Sequence, residues 1–278
     1  MDRTMEPKWA MGAGFAAIAF LALAFFVSGM ASWYAVGWAV TVGALTAFCA
    51  CIGIAVNGRP AGLIIDNRNR VSLSKFQATA WSILILSALI TAALVRVRLG
   101  LPAPLDITLR GELLAVMGIS ATSLVASPVV LSMKAGETPP DGQIDATAAK
   151  LGDDPADVSA AGKLYTRDAA GDASWLDMFR GEEVSNAAAP DLGKVQQFLI
   201  SVVVMVIYAA ALWSMFDTLP PSGAHRTYLG ELPPFGQNMA WLVGISHTAY
   251  LAYKAAPHGR SAESPAAQSA STPDGAVG

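Results

Sequence analysis

Apolar residues along this chain collect in long stretches, and most charges lie between them. A hydrocarbon core of roughly 30 Å takes about 20 helical residues to cross. Six stretches fit that demand: Trp9 to Val27, Trp33 to Val56, Phe76 to Val95, Leu113 to Met133, Val195 to Trp213 and Met239 to Tyr253. Inside lipid the backbone amides and carbonyls must be satisfied within the segment, so each stretch is expected to be a helix. The predicted class is an all-α membrane protein with about six transmembrane helices. The sixth span is a short apolar run carrying Ser246, His247 and Thr248, and is expected to bury these against other helices.

Connections between the spans set the organisation. Only Ser28 to Ser32 separates the first two spans, which therefore form a tight hairpin over residues 1–57. A cleaved signal peptide is the competing reading, since Arg3 and Lys8 precede the first span and Ser28, Gly29, Ala31 and Ser32 follow it. The apolar run exceeds the usual signal core of roughly 7 to 15 residues, and Asp2 and Glu6 dilute the basic start, which favours a retained span. Residues 58–134 hold the third and fourth spans, and residues 191–254 the fifth and sixth. Between them lies an acidic segment, 135–190, whose Ala, Asp, Gly and Pro content predicts a flexible loop. Within it Ser174 can cap a short interfacial helix with Asp177 three residues on, with Trp175, Met178 and Phe179 on one face. The tail, 255–278, has no apolar periodicity and is expected to be disordered.

Spans three and four resemble spans five and six. Ser72, Lys75 and Gln77 open the third span in the order in which Asp191, Lys194 and Gln196 open the fifth, and both read cap, Leu, small, Lys, apolar, Gln. Gly118-Ile119-Ser120-Ala121-Thr122 in the fourth span returns as Gly244-Ile245-Ser246-His247-Thr248 in the sixth. Two spans separate the matched positions, so the copies form a parallel internal repeat rather than an inverted one. Ser72 and Asp191 are expected to cap helix starts. Lys75 and Lys194 should reach the headgroups, and Gln77 and Gln196 should bond a neighbouring helix near the interface. Ser120, Thr122, Ser246, His247, Thr248 and Tyr250 are the candidate pathway or helix-packing residues. Small and hydroxylated side chains let helices approach and bond across, and His247 is the one histidine within a span, with Tyr250 on its helical face.

Composition narrows the function. Of all residues 54% are hydrophobic and 14% charged, and mean hydropathy is +0.46, far from a soluble domain. No basic patch suggests nucleic acid. Cys49 and Cys51 lie two apart in an apolar run and diverge on a helix, as buried small hydrophobes would. Arg59, Arg68, Arg70 and Lys75 lie on the same side as Arg3, Lys8, Lys254 and Arg260, which by the positive-inside rule puts both termini in the cytoplasm; Arg96, Arg98 and Arg110 count against it. No phosphate loop, nucleotide fingerprint or haem motif occurs, Ser246 and His247 are adjacent and diverge, and no set of metal ligands accompanies His247, so no enzyme, cofactor or metal is expected.

The Lys-x-Gln span openings and the stretch Gly244-Ile245-Ser246-His247-Thr248-Ala249-Tyr250-Leu251-Ala252-Tyr253-Lys254 resemble a group of uncharacterised bacterial multi-pass membrane proteins. That resemblance implies a bacterial inner membrane and brings no activity. Two functional expectations follow: a non-enzymatic, homo-oligomeric pore or transport component, or a membrane scaffold that presents its acidic loop to a cytoplasmic protein partner. Few charges lie inside the spans, which argues against a pathway built from acidic rings.

Overall fold

The computed structural model describes residues 33–139, 141–152, 154–155, 158–219 and 229–256, with Ala19, Ala22, Leu23 and Phe26 of the first apolar stretch. The rest of the first span, its hairpin turn and almost all of the tail lie outside the described residues. Six α-helices follow in order: α1 (Tyr34–Asn57), α2 (Leu73–Arg98), α3 (Gly111–Ala135), the short α4 (Gln143–Leu151), α5 (Leu192–Asp217) and α6 (Gln237–Ala255). Of these, α1, α2, α3 and α5 are long and apolar enough to cross a membrane. The protein is thus mostly helical and suited to a bilayer. The sixth predicted span is present as α6, but Gln237, Asn238, His247 and Lys254 keep this 19-residue helix outside the set that qualifies by length and composition.

Helices α2, α3, α6 and α5 pack as neighbours around a core, and α1 lies across α2 and α5 on the side away from α3 and α6. Trp81, Val95, Val116, Leu212, Phe216 and Val243 fill the centre, each nearly inaccessible. Two polar contacts cross this apolar interior from α1: Trp38 Nε1 donates to Ser87 Oγ at 3.0 Å, and Thr91 Oγ1 donates to Thr41 Oγ1 at 3.2 Å. Buried donors without acceptors would be costly, so these pairs fix how α1 sits on α2.

The segment expected to be a flexible loop is a packed layer over one end of the bundle. It holds α4, a two-stranded antiparallel hairpin of β1 (Ser159–Ala161) and β2 (Leu164–Thr166), and short 3₁₀ turns at Ala170–Asp172, Trp175–Met178 and Val184–Asn186. It has a small apolar core of Ala148, Val158, Tyr165, Val184 and Ala187, to which buried charge and backbone pairing add. Gly162 at the hairpin turn has φ +58°, and a Cβ there would lie 2.1 Å from the Ala135 carbonyl, so only glycine lets the hairpin sit against the end of α3. At Ser174 the predicted cap forms: its hydroxyl accepts from Leu176 N and its amide donates to Asp177 Oδ2 at 2.8 Å. The expected shared face does not, because the turn is 3₁₀ rather than α: Met178 is buried, Phe179 packs edge-on to Phe198, and Trp175 and Leu176 stay exposed.

Candidate functional site

Among the described residues two places concentrate polar chemistry: a buried ion cluster at the end covered by the 141–190 layer, and a groove along α3 and α6.

The cluster is built from the loops that start α2 and α5. Before α2, Asp66 accepts from the amides of Arg68 and Arg70, with Asn69 at φ 57°, which turns both arginines inward. Ile65 and Val71 then close the loop as an isolated antiparallel bridge, Ser72 caps the helix, and Lys75 Nζ donates to the Ile65 carbonyl at 2.8 Å. Before α5 the same sequence of events recurs. Arg180 and Pro190 bridge, Asp191 caps, and Lys194 Nζ donates to the Arg180 carbonyl at 2.7 Å. Lysines expected to reach headgroups are therefore turned back onto the loop, and Lys194 is buried.

Glu182 sits at the centre. Its Oε1 meets Lys194 Nζ at 2.7 Å and Lys254 Nζ at 3.0 Å, and its Oε2 meets Arg68 Nη2 at 2.5 Å and Arg70 Nη1 at 3.6 Å. One carboxylate thus ties the α1–α2 loop, the start of α5 and the end of α6 to the layer. Burial alone would push its pKa up, but Arg68, Lys194, Lys254 and Arg70 hold it well below the usual carboxylate range. Burial likewise opposes the charge on Arg68, and there Glu182 and Asp66 prevail and raise its pKa. On Arg70 burial wins and the pKa falls; Asp177 is 3.8 Å from its Nε, and the guanidinium lies over the Tyr165 ring. A second carboxylate, Glu183, takes Lys134 at 2.6 Å. Sequence reasoning missed Glu182, since nothing distinguishes it from the other acids of its segment.

Below this cluster the predicted glutamines meet, with a change of partner. Gln197 Nε2 donates to Gln77 Oε1 at 2.9 Å, and Gln77 Nε2 donates to Ser201 Oγ at 2.7 Å. Gln196 is exposed. Measured from the caps, the buried face of α5 runs one residue later than that of α2, a rotation of about 100°.

Of the six pathway candidates, Tyr250 joins the cluster side, with Lys254 Nζ donating to its hydroxyl at 2.9 Å. Ser120 and Ser246 are buried with no hydrogen-bond partner on their hydroxyls. Thr122 and Thr248 face outward, and each donates to the glycine carbonyl one turn back, Gly118 and Gly244, at 2.8 Å. His247 is brought to Ser123, whose Oγ lies 2.6 Å from Nδ1; its Nε2 has no partner. Ser123 was not singled out by sequence, because the pairing depends on how α3 and α6 face one another. Among the described residues no carboxylate bonds the ring as the third member of a nucleophilic triad would. Among the described residues no group of three or more His, Cys, Asp or Glu could hold a metal ion.

Comparison with protein-family models, with curated proteins and with solved structures finds no match for this chain.

Proposed function

We propose that the protein is a non-enzymatic integral membrane scaffold that crosses the bilayer six times, with both termini and the 141–190 layer on the cytoplasmic side. The single observation that carries this reading is the Glu182 clamp: four cations from three separate chain segments hold the layer against the helix ends. A loop fastened in this way presents a fixed surface. The layer exposes Asp141, Asp145, Asp168 and Asp172, and also Trp175 and Leu176, which suits a partner protein with a basic face and an apolar contact. The filled core supports a scaffold over a pore, since Trp81, Val116, Leu212 and Val243 occupy the space between the helices. The matching helix openings support the duplicated hairpin, with the second copy turned by one residue so that Gln197 replaces Gln196 as the partner of Gln77.

The test uses the full chain in two settings. In liposomes of the purified protein, flux of protons, potassium and glycerol should equal that of empty liposomes. In native membranes, a photo-crosslinking residue at Trp175 should give one discrete protein adduct, lost in Glu182→Ala while the chain stays inserted. Solute flux above the blank that disappears in His247→Ala would sink the scaffold and favour the transport reading.

A further inference from the structure

Beside the Glu182 cluster lies a half-enclosed cavity of about 260 Å³, between the start of α2, the last turns of α3, the end of α6 and the β1–β2 hairpin. That is room for several water molecules at roughly 30 Å³ each, and enough for one small polar group. Its lining carries three cations, Arg68, Lys75 and Lys254, and one anion, Asp66. The acid is already taken: its Oδ1 accepts from the amides of Arg68 and Arg70, and its Oδ2 from Arg68 Nε and Nη2.

The charges around the cavity do not balance. Ion pairs about Glu182 join Arg68, Arg70, Arg167, Lys194 and Lys254 to Asp66, Asp177 and Glu182, five cations against three anions, which leaves two positive charges over. Lys75 adds a third, since its ammonium donates to the Ile65 carbonyl and makes no ion pair among the described residues. Uncompensated charge in a buried site is costly, and an anion in the adjoining cavity would relieve it.

Donors are also in place. Lys254 Nζ spends its three N–H bonds on Ser127, Tyr250 and Glu182, so it supplies charge and no further hydrogen bond. Half-buried Lys75 has two N–H bonds left, and the half-buried Ser72 and Thr166 carry hydroxyls with no acceptor among the described residues. A net positive lining with several donors selects an oxyanion with more than one acceptor oxygen, which a phosphate group supplies.

Position chooses its carrier. Lys75 lies in the first turn of α2 and Ser132 in the last turn of α3, and both helices are long and apolar enough to cross a membrane. The ends of spanning helices lie at the depth of lipid headgroups. From these polar ends the lining continues to Leu124, Pro128 and Leu131 on α3, where Pro128 and Ser132 are exposed, so a polar recess runs onto the outer face of that helix. A free phosphate leaves the apolar part empty, whereas a phospholipid fills both parts.

We propose that this cavity holds the phosphate of an anionic phospholipid, bonded by Lys75 Nζ and the Ser72 and Thr166 hydroxyls, with an acyl chain along Leu124 and Pro128. The assignment rests on the bilayer reading of α2 and α3 and not on a protein partner for the 141–190 layer.

The experiment titrates dioleoylphosphatidylglycerol into the full chain in neutral detergent and counts bound lipids by native mass spectrometry. One lipid per chain should bind about tenfold tighter than dioleoylphosphatidylcholine, whose choline cancels the phosphate charge. Lys75→Gln should weaken it about tenfold, as loss of one charge-assisted hydrogen bond implies, and Lys75→Arg should keep most of the affinity. Ser132→Trp, which fills the cavity from an exposed position and removes no charge, should abolish binding. Arg110→Ala, at the opposite end of α3, should change nothing. Circular dichroism confirms folding of each variant, and if Lys75→Gln misfolds, Ser132→Trp decides. Equal binding of phosphatidylcholine, or an equal loss in Arg110→Ala, means a general headgroup surface and overturns the proposal. Displacement of the lipid by inorganic phosphate overturns the lipid as carrier and assigns the cavity to the free ion. Release of the chain from native membranes by alkaline carbonate overturns the bilayer reading beneath it.

Discussion

The ion cluster and the α3–α6 seam both bury polar groups, but the cluster does so with paired charges and the seam with neutral side chains. Around Glu182 each carboxylate oxygen is shared between two cations, and the surrounding hydroxyls and carbonyls take up further donors, so the charges are spent on holding chain segments together. In the groove His247 has one nitrogen bonded to Ser123 and the other bonded to nothing. Neither network is complete: Arg70 Nε and Nη2 lack hydrogen-bond partners at the cluster, as His247 Nε2 does beside Ser123.

Removing the keystone should have the largest effect. Glu182→Ala leaves four cations facing one another in a buried site, and breaking a buried ion pair from one side costs about 3–5 kcal/mol. The expected result is a large drop in Tm in detergent, with faster proteolysis within 141–190. A Tm unchanged within error would show that the layer is held by something else.

Acid should act through the same group. The folded Glu182 carboxyl lies well below its ordinary value of 4.5, so its stabilisation is complete above that value and is lost as pH falls through the folded value. Tm should therefore be flat in this respect from pH 7 to about 5 and decline only in stronger acid. In Glu182→Gln that share of the acid decline should be absent, which a Tm series against pH would reveal.

The glutamine pair should show a middling effect with a diagnostic sign. Gln77→Leu strands the Gln197 amide in a buried site and should cost about 1–3 kcal/mol, while Gln77→Leu combined with Gln197→Leu should cost less than the two single changes added together. Additive losses would mean that the two amides do not act as a unit. At the small end, Arg110→Ala should leave Tm unchanged, because its ion pair with Glu231 is exposed, whereas Arg68→Ala at the other face should lower it clearly.

Comparing the two hairpins shows how far a sequence match carries. The caps at Ser72 and Asp191 and the lysines three residues later were legible because capping is local: the side chain bonds an amide three residues on, whatever surrounds it. The Thr122 and Thr248 bonds to Gly118 and Gly244 are equally local. Gln196 was matched to Gln77 by its letter and place, yet Gln197 holds the contact, because the face a helix buries depends on its neighbours. Of the cations counted as markers of the cytoplasmic side, Arg68, Arg70 and Lys254 proved to be internal counter-charges, as did Lys194, which was expected at the headgroups.

By itself the sequence determined that apolar stretches of bilayer length become helices, where α2 and α5 begin, and that Ser174 and Asp177 form a cap. These outcomes rest on hydrophobic burial and on hydrogen bonds within a few residues, both of which can be read along the chain. Only the tertiary structure decided that Glu182 rather than another acid becomes the clamp, that the 141–190 segment folds as a layer, and that Ser123 meets His247. Each of those requires charges or hydroxyls more than 40 residues apart to arrive at one point, and it is the packing of the helices that brings them there.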